Sequence, residues 1–138
     1  MAGTQGQYPE VVEYMNEVPC FNSYNNIKLV RLEDGSAEGR VELSCNSMNP
    51  NGKVHGGLLF ACSDYIGGFV ACTDNKAAVT ESGNISFLRP ACGDYLTVKA
   101  YPVKLGEKVA VVDVCVYDDR ERLISKGTFT YFYMLSDF

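Results

Sequence analysis

The chain has 138 residues, 46% of them apolar and 21% charged, with a formal net charge of −5. That length suits one domain that can bury its own core without disulfide or metal staples. The acidic balance argues against a nucleic-acid surface, which normally carries a basic excess, but it leaves room for a phosphorylated small molecule held by a few local cations.

The first ten residues have neither a basic start nor an apolar run, so no signal peptide is expected and a cytoplasmic location is. Residues 9–16 predict a short helix, with Pro9 at its start and Val12 and Met15 spaced to share a face. Residues 20–26 are polar and Asn-rich and read as a connecting loop. Residues 27–33 and 37–44 predict two strands joined at Asp34-Gly35, a favoured hairpin pair. Residues 46–53 hold three Asn, a Pro and a Gly and read as a loop.

The apolar block after that loop begins at His55-Gly56-Gly57. Leu58, Leu59, Ala61, Cys62, Tyr65, Ile66, Phe69 and Val70 occupy more than one helical stripe, so this helix should be buried on most sides. It carries Asp64 and four glycines, and its dense part falls short of the ~20 residues a bilayer span needs. From Ala77 the pattern turns to β, with strands over 79–88, 95–104, 109–117 and 123–134 separated by turn-like residues. The lack of βαβ alternation disfavours a doubly wound sheet. The expected class is α+β, one long antiparallel sheet wrapped around a single buried helix. The whole chain, 1–138, reads as one domain, with 1–26 as an N-terminal helix and loop and 27–134 as the core.

Six cysteines at 20, 45, 62, 72, 92 and 115 form no C-x-x-C pair, and the one histidine, His55, has no cysteine near it in sequence. A zinc site would want paired ligands. Free, mostly buried thiols in a reducing compartment are the expectation, with no metal.

Asp64 is the only carboxylate between Lys53 and Asp74. An ionised carboxylate among apolar groups is costly unless paired or hydrogen-bonded. Asp64 either faces solvent at a helix edge, joins a hydrogen-bond network, or does chemistry; stability alone would more naturally place Leu or Ala there. His55-Gly56-Gly57 opens the same helix, where backbone N–H groups lack partners and the dipole favours negative charge. Glycine there admits close approach of a carbonyl, the arrangement of an oxyanion hole, or else it makes a tight turn. Gly67-Gly68 inside the helix costs about 1 kcal/mol per glycine against Ala, so it serves close packing, a kink or room for a ligand.

The run Asn49-x-x-Gly52-x-x-His55-Gly56-Gly57, with Asp64 nine residues after His55, resembles the signature of the PaaI-type hotdog thioesterases, in the 4-hydroxybenzoyl-CoA thioesterase-like superfamily. The resemblance continues through Thr80 and Asn84-Ile85-Ser86-Phe87-Leu88-Arg89-Pro90-Ala91. It implies a hotdog fold and hydrolysis of an acyl- or aryl-acyl-CoA, with coenzyme A present only as part of the substrate. It implies Asp64 as general base or nucleophile, the Gly56 N–H as donor to the thioester carbonyl with Asn49 assisting, His55 as an orienting group, and Thr80 as the residue that positions water. Gly57 would line the substrate. Arg89, Lys104 and Lys108 are weaker nominations for the phosphates of coenzyme A.

Gly56 and Asp64 are eight residues apart, about 12 Å along a helix axis. One thioester carbon cannot touch both. If both act on it, they come from two chains related by a two-fold axis, so a homodimer with shared sites is expected; the resemblance implies a dimer of dimers. A thioester suits one carboxylate plus an oxyanion hole, because a thiol of pKa about 8.5 leaves without a strong general acid. The rival readings are a hotdog dehydratase or hydratase, and a module that binds acyl-CoA without hydrolysing it.

Overall fold

Alternation of apolar residues decides which face of the sheet is covered. In β5 (Val109–Tyr117), Ala110, Val112, Val114 and Val116 are buried while their neighbours are half-buried. In β4 (Tyr95–Leu105), Leu96, Val98 and Ala100 do the same. Period-two patterning of this kind puts one face on a core. The computed structural model describes residues 4–73 and 76–134; the first three and last four residues of the expected 1–138 domain lie outside them.

The described chain runs through α1 (Pro9–Glu17), α2 (Phe21–Tyr24), β1 (Ile27–Glu33), β2 (Ser36–Glu42), a 3-10 turn (Cys45–Ser47), α3 (Gly56–Ala71), β3 (Ala78–Phe87), then β4, β5 and β6 (Leu123–Tyr133). All pairings are antiparallel, in the order β1-β2-β4-β5-β6-β3. Helix α3 touches all six strands. Its buried residues Leu58, Leu59, Cys62, Ile66 and Val70 meet the covered face of the sheet. Each fully buried aliphatic side chain contributes about 1.5–3 kcal/mol. The α+β class, with one long sheet around one helix, therefore stands as expected.

Three expectations need correction. Residues 20–26 are not all loop: Phe21–Tyr24 makes one helical turn, capped reciprocally by Cys20 and Ser23, a pair that polar composition does not reveal. The cysteines are not mostly buried, since Cys20, Cys45 and Cys92 are exposed and only Cys62 is buried. These three sit on a helix cap, a 3-10 turn and an irregular loop at the surface. And α3 keeps an open stripe through Gly57, Phe60, Ala61, Asp64 and Gly68, exposed or half-buried, because one chain's sheet reaches only part way round it.

Strand β3 is the outer strand beside that stripe, hydrogen-bonded among the described strands only to β6 and exposed over most of its ten residues. No helix among the described residues is long and apolar enough to cross a membrane.

Candidate active site

The loop before α3 is organised by Asn49. Its backbone N–H donates to the Lys53 carbonyl at 2.7 Å, and its carboxamide oxygen accepts from the N–H groups of Asn51 and Lys53 at 2.9 and 3.1 Å. Gly52 closes the turn at φ +75°, a conformation that favours glycine. With the oxygen committed to the loop, the NH2 group is what Asn49 can offer a ligand. Met48 then bridges to Val54, and the His55 N–H donates to the Ser47 carbonyl at 2.9 Å, which fixes where the helix begins.

His55 is the N-cap of α3. Its Nδ1 accepts from the Gly57 N–H at 2.8 Å, and its carbonyl accepts from Leu58 and Leu59. An accepting Nδ1 leaves Nε2 as the nitrogen that carries the hydrogen. The Gly57 N–H is thereby used within the helix end. The Gly56 N–H makes no hydrogen bond among the described residues, although Gly56 is half-buried. Gly56 lines a cavity of about 390 Å³ together with Asn49, Lys53, Phe87 and Arg89. A free donor at a helix N-terminus, backed by the dipole and two nearby cations, is equipped to hold an oxyanion.

Two turns further on, half-buried Asp64 accepts a hydrogen bond at Oδ1 from the Thr80 hydroxyl at 2.7 Å. Thr80 reaches it because β3 is bulged. Thr80 pairs with Tyr131, but Ser82, not Glu81, pairs with Thr130, so Glu81 is an extra residue in the ladder. The bulge lets both Thr80 and Gly83 share a face with the inward residues Tyr131 and Phe129. Bulges of this kind re-aim side chains beside functional sites. Asp64 and Thr80 line a second cavity of about 440 Å³ with Met15, Tyr65, Gly68 and Tyr131.

Among the described residues the two cavities share no lining residue. Within one chain the carboxylate and the open N–H therefore belong to different mouths, as helix arithmetic required. Arg89 stands at the Gly56 cavity, whereas exposed Lys104 at the end of β4 and Lys108 in the β4–β5 turn line neither. Burial pushes the Cys62 thiol up to about 12, which closes thiolate chemistry to it. Sequence reasoning missed Met15 and Tyr131 as neighbours of Asp64. Both are distant in sequence and apolar or aromatic, a signature shared with any core residue.

Residues 51–125 match the Thioesterase superfamily, a stretch that begins just after Asn49 and carries the end of the loop, the helix and the bulged strand. The acyl-coenzyme A thioesterase PaaI of Escherichia coli is 26% identical over 72% of this chain and 71% of its own length, and its structure superposes with a TM-score of 0.82. A Streptococcus mutans protein solved bound to acetyl CoA is 32% identical, with a TM-score of 0.77 over 86% of this chain and 94% of that one. A Streptococcus pneumoniae protein described as a hypothetical thioesterase and solved with coenzyme A is 31% identical, with a TM-score of 0.75 over 79% of this chain and 86% of that one. That protein has also been solved with an aspartate, and separately a threonine sixteen positions later, replaced by alanine. Sequence match, helix-in-sheet architecture and the carboxylate on the open stripe agree: the chain is a hotdog-fold thioester hydrolase and belongs to the thioesterase superfamily.

Proposed function

We propose that the chain is an acyl-CoA thioesterase that works as a homodimer at least, each site taking Asp64 and Thr80 from one subunit and Gly56 and Asn49 from the other. The observation that carries this reading is the separation within one chain: a carboxylate held by Thr80 in one cavity, and an unpaired helix N–H in another. Strand β3 supplies the means of association. It is a long outer strand with exposed faces, and Glu81 is its only charged residue. Such an edge is a template for pairing with another strand, and a second β3 would bring a second α3 stripe over the first. A dimer of dimers follows the family resemblance.

In the reaction, Asp64 takes a proton from water held beside Thr80, and the hydroxide adds to the thioester carbon. The carbonyl oxygen becomes negative against the Gly56 N–H and Asn49 NH2 of the partner subunit. The C–S bond then breaks, the acid is released, and the coenzyme A thiolate recovers the proton from Asp64. Direct attack by the carboxylate would instead form an anhydride that water opens; single-turnover hydrolysis in ¹⁸O-water separates the routes, because only the second labels the enzyme. Arg89 and Lys53 at the Gly56 cavity, with Lys104 and Lys108 arriving from elsewhere in the assembly, are the cations offered to the phosphates. No cofactor beyond the coenzyme A of the substrate is required by these steps. Exposed thiols at Cys20, Cys45 and Cys92 suit a reducing compartment, the cytoplasm.

The sequence kinship with proteins solved holding acetyl CoA or coenzyme A supports the substrate class, and the aspartate–threonine separation in the pneumococcal protein equals that of Asp64 and Thr80. The test is thiol release from a panel of acyl- and aryl-acyl-CoAs by wild type and Asp64→Asn. Release by wild type and its loss in the variant are expected. Tight binding without release, or release unchanged in Asp64→Asn, overturns the proposal.

A further inference from the structure

The strand partner of Thr80 across the β3–β6 ladder is Tyr131, and both reach the same residue of α3. Thr80 donates to the Asp64 carboxylate, and the Tyr131 hydroxyl donates to the Asp64 main-chain carbonyl at 2.7 Å. We propose that Tyr131 is a positioning residue of this enzyme, fixing the backbone that carries Asp64 while its ladder partner fixes the carboxylate. The inference rests on the reading of Asp64 as the reacting carboxylate.

Three features set this bond apart from ordinary core packing. Tyr131 is 2% exposed, so its hydroxyl has little access to water as an alternative partner. The helix is cut away to admit it: a Cβ at Gly67 would lie 2.6 Å from the Tyr131 oxygen, closer than such atoms approach. And the carbonyl it holds belongs to the catalytic candidate itself, so any shift of the phenol moves the backbone of Asp64. Burial, with the charge of Asp64 close by, also holds the phenol far above its ordinary value, so it stays a donor at every working pH. Misplacement of a reacting group by about 1 Å can cost on the order of 100-fold in rate. A clamp on both the main chain and the side chain of one residue is a direct way to prevent it.

The same strand supplies an internal control. Two residues on, the Tyr133 hydroxyl donates to the Ala71 carbonyl at 2.7 Å, at the far end of α3 from the helix start and away from Asp64. Tyr131→Phe and Tyr133→Phe each delete one buried phenol–carbonyl bond and keep the ring. A structural role alone predicts the same outcome for both. Positioning predicts a kcat reduced on the order of 10-fold or more in Tyr131→Phe, with KM for the best acyl-CoA unchanged. Tyr133→Phe should keep wild-type kcat while its melting temperature falls about as far. Gly67→Ala, which pushes against the phenol oxygen, should lower kcat in the wild-type background and add no further loss to Tyr131→Phe.

Asp64→Asn is assayed in parallel. If it turns over at the wild-type rate, the reading of Asp64 falls and this inference with it. If Asp64→Asn is inactive and the two Tyr→Phe variants have equal kcat, the positioning role alone is overturned.

Discussion

Thr80 donates its hydroxyl hydrogen to Asp64 Oδ1 across 2.7 Å, from the last position before the Glu81 bulge. A hydrogen bond to a charged group is worth about 1.5–3 kcal/mol, or roughly 10- to 100-fold in a rate it controls. Thr80→Val keeps the shape and removes the donor, so kcat should fall by about that factor. Thr80→Ser should retain most of the rate. Steady-state kinetics on both variants decides the matter, and equal activity in Val and Ser would exclude the hydroxyl from the reaction.

The Gly56 N–H can be deleted without disturbing the helix. Proline is at home at the first helical position, and His55 already has ψ 133°, the extended value a following proline demands. Gly56→Pro should fold, and kcat should fall about 100- to 1,000-fold, the usual result of losing one oxyanion donor. Mixing it with Asp64→Asn after partial denaturation tests the shared site. Random reassembly makes half the dimers mixed, each with one intact site, so about a quarter of wild-type activity should return. No recovery would mean that each chain acts alone.

Neighbouring glycines in α3 should respond with opposite signs. A Cβ at Gly67 meets the Tyr131 oxygen at 2.6 Å and Val114 Cγ2 at 3.1 Å, whereas at Gly68 the nearest atom is Tyr131 Cε1 at 3.6 Å. Gly67→Ala should therefore destabilise by about 1–3 kcal/mol despite its better helix propensity. Gly68→Ala should stabilise by up to about 1 kcal/mol. Urea unfolding of both reads the difference.

Much of this architecture is legible in the sequence, for a physical reason. Strand boundaries in β4, β5 and β6 fall within a residue of expectation because alternation of Val, Tyr and Thr is a local signal. Asp64 stands out because a carboxylate is expensive in an apolar helix, and its partner Thr80 follows from the family pattern. The Glu81 bulge does not announce itself: it depends on how two strands register, and one strand's sequence holds only half of that. Tyr131 is hidden for the same reason, since a tyrosine in an apolar strand looks alike whether its hydroxyl meets water, a neighbour or the backbone of Asp64. The turn at Phe21–Tyr24 rests on a cysteine–serine cap, a pairing outside the common capping residues.

Asp118 makes stability respond to acid. Its side chain is buried in the β5–β6 turn and accepts from the N–H groups of Arg120 and Arg122 and from the Arg122 guanidinium at 2.7 Å. Burial works to raise its carboxyl; the hydrogen bonds from Arg122 and Arg120, with the guanidinium charge, outweigh it and hold it below the ordinary 3.8. A carboxyl lower in the folded than in the unfolded chain stabilises the fold at pH above about 4, and the contribution disappears as pH falls through the folded value. Melting temperatures taken from about pH 5 down to about pH 2 should drop steeply for wild type and less steeply for Asp118→Asn, which starts lower. Parallel curves would remove Asp118 from the acid response.

The unpaired N–H of Gly56 also bears on how such an enzyme can change over generations. A helix that leaves a backbone donor open, on a residue with the widest conformational freedom when unfolded, is less stable than the fold permits. Proline at this position would stiffen the unfolded chain and close the vacancy, a stabilising change by about 0.4–1 kcal/mol. The same change removes the donor. Selection for robustness alone would drift toward that replacement and lose most of the turnover, so the glycine persists only while fast hydrolysis is needed, and a descendant with proline there should be a sturdier protein that holds its thioester far longer than it takes to bind it.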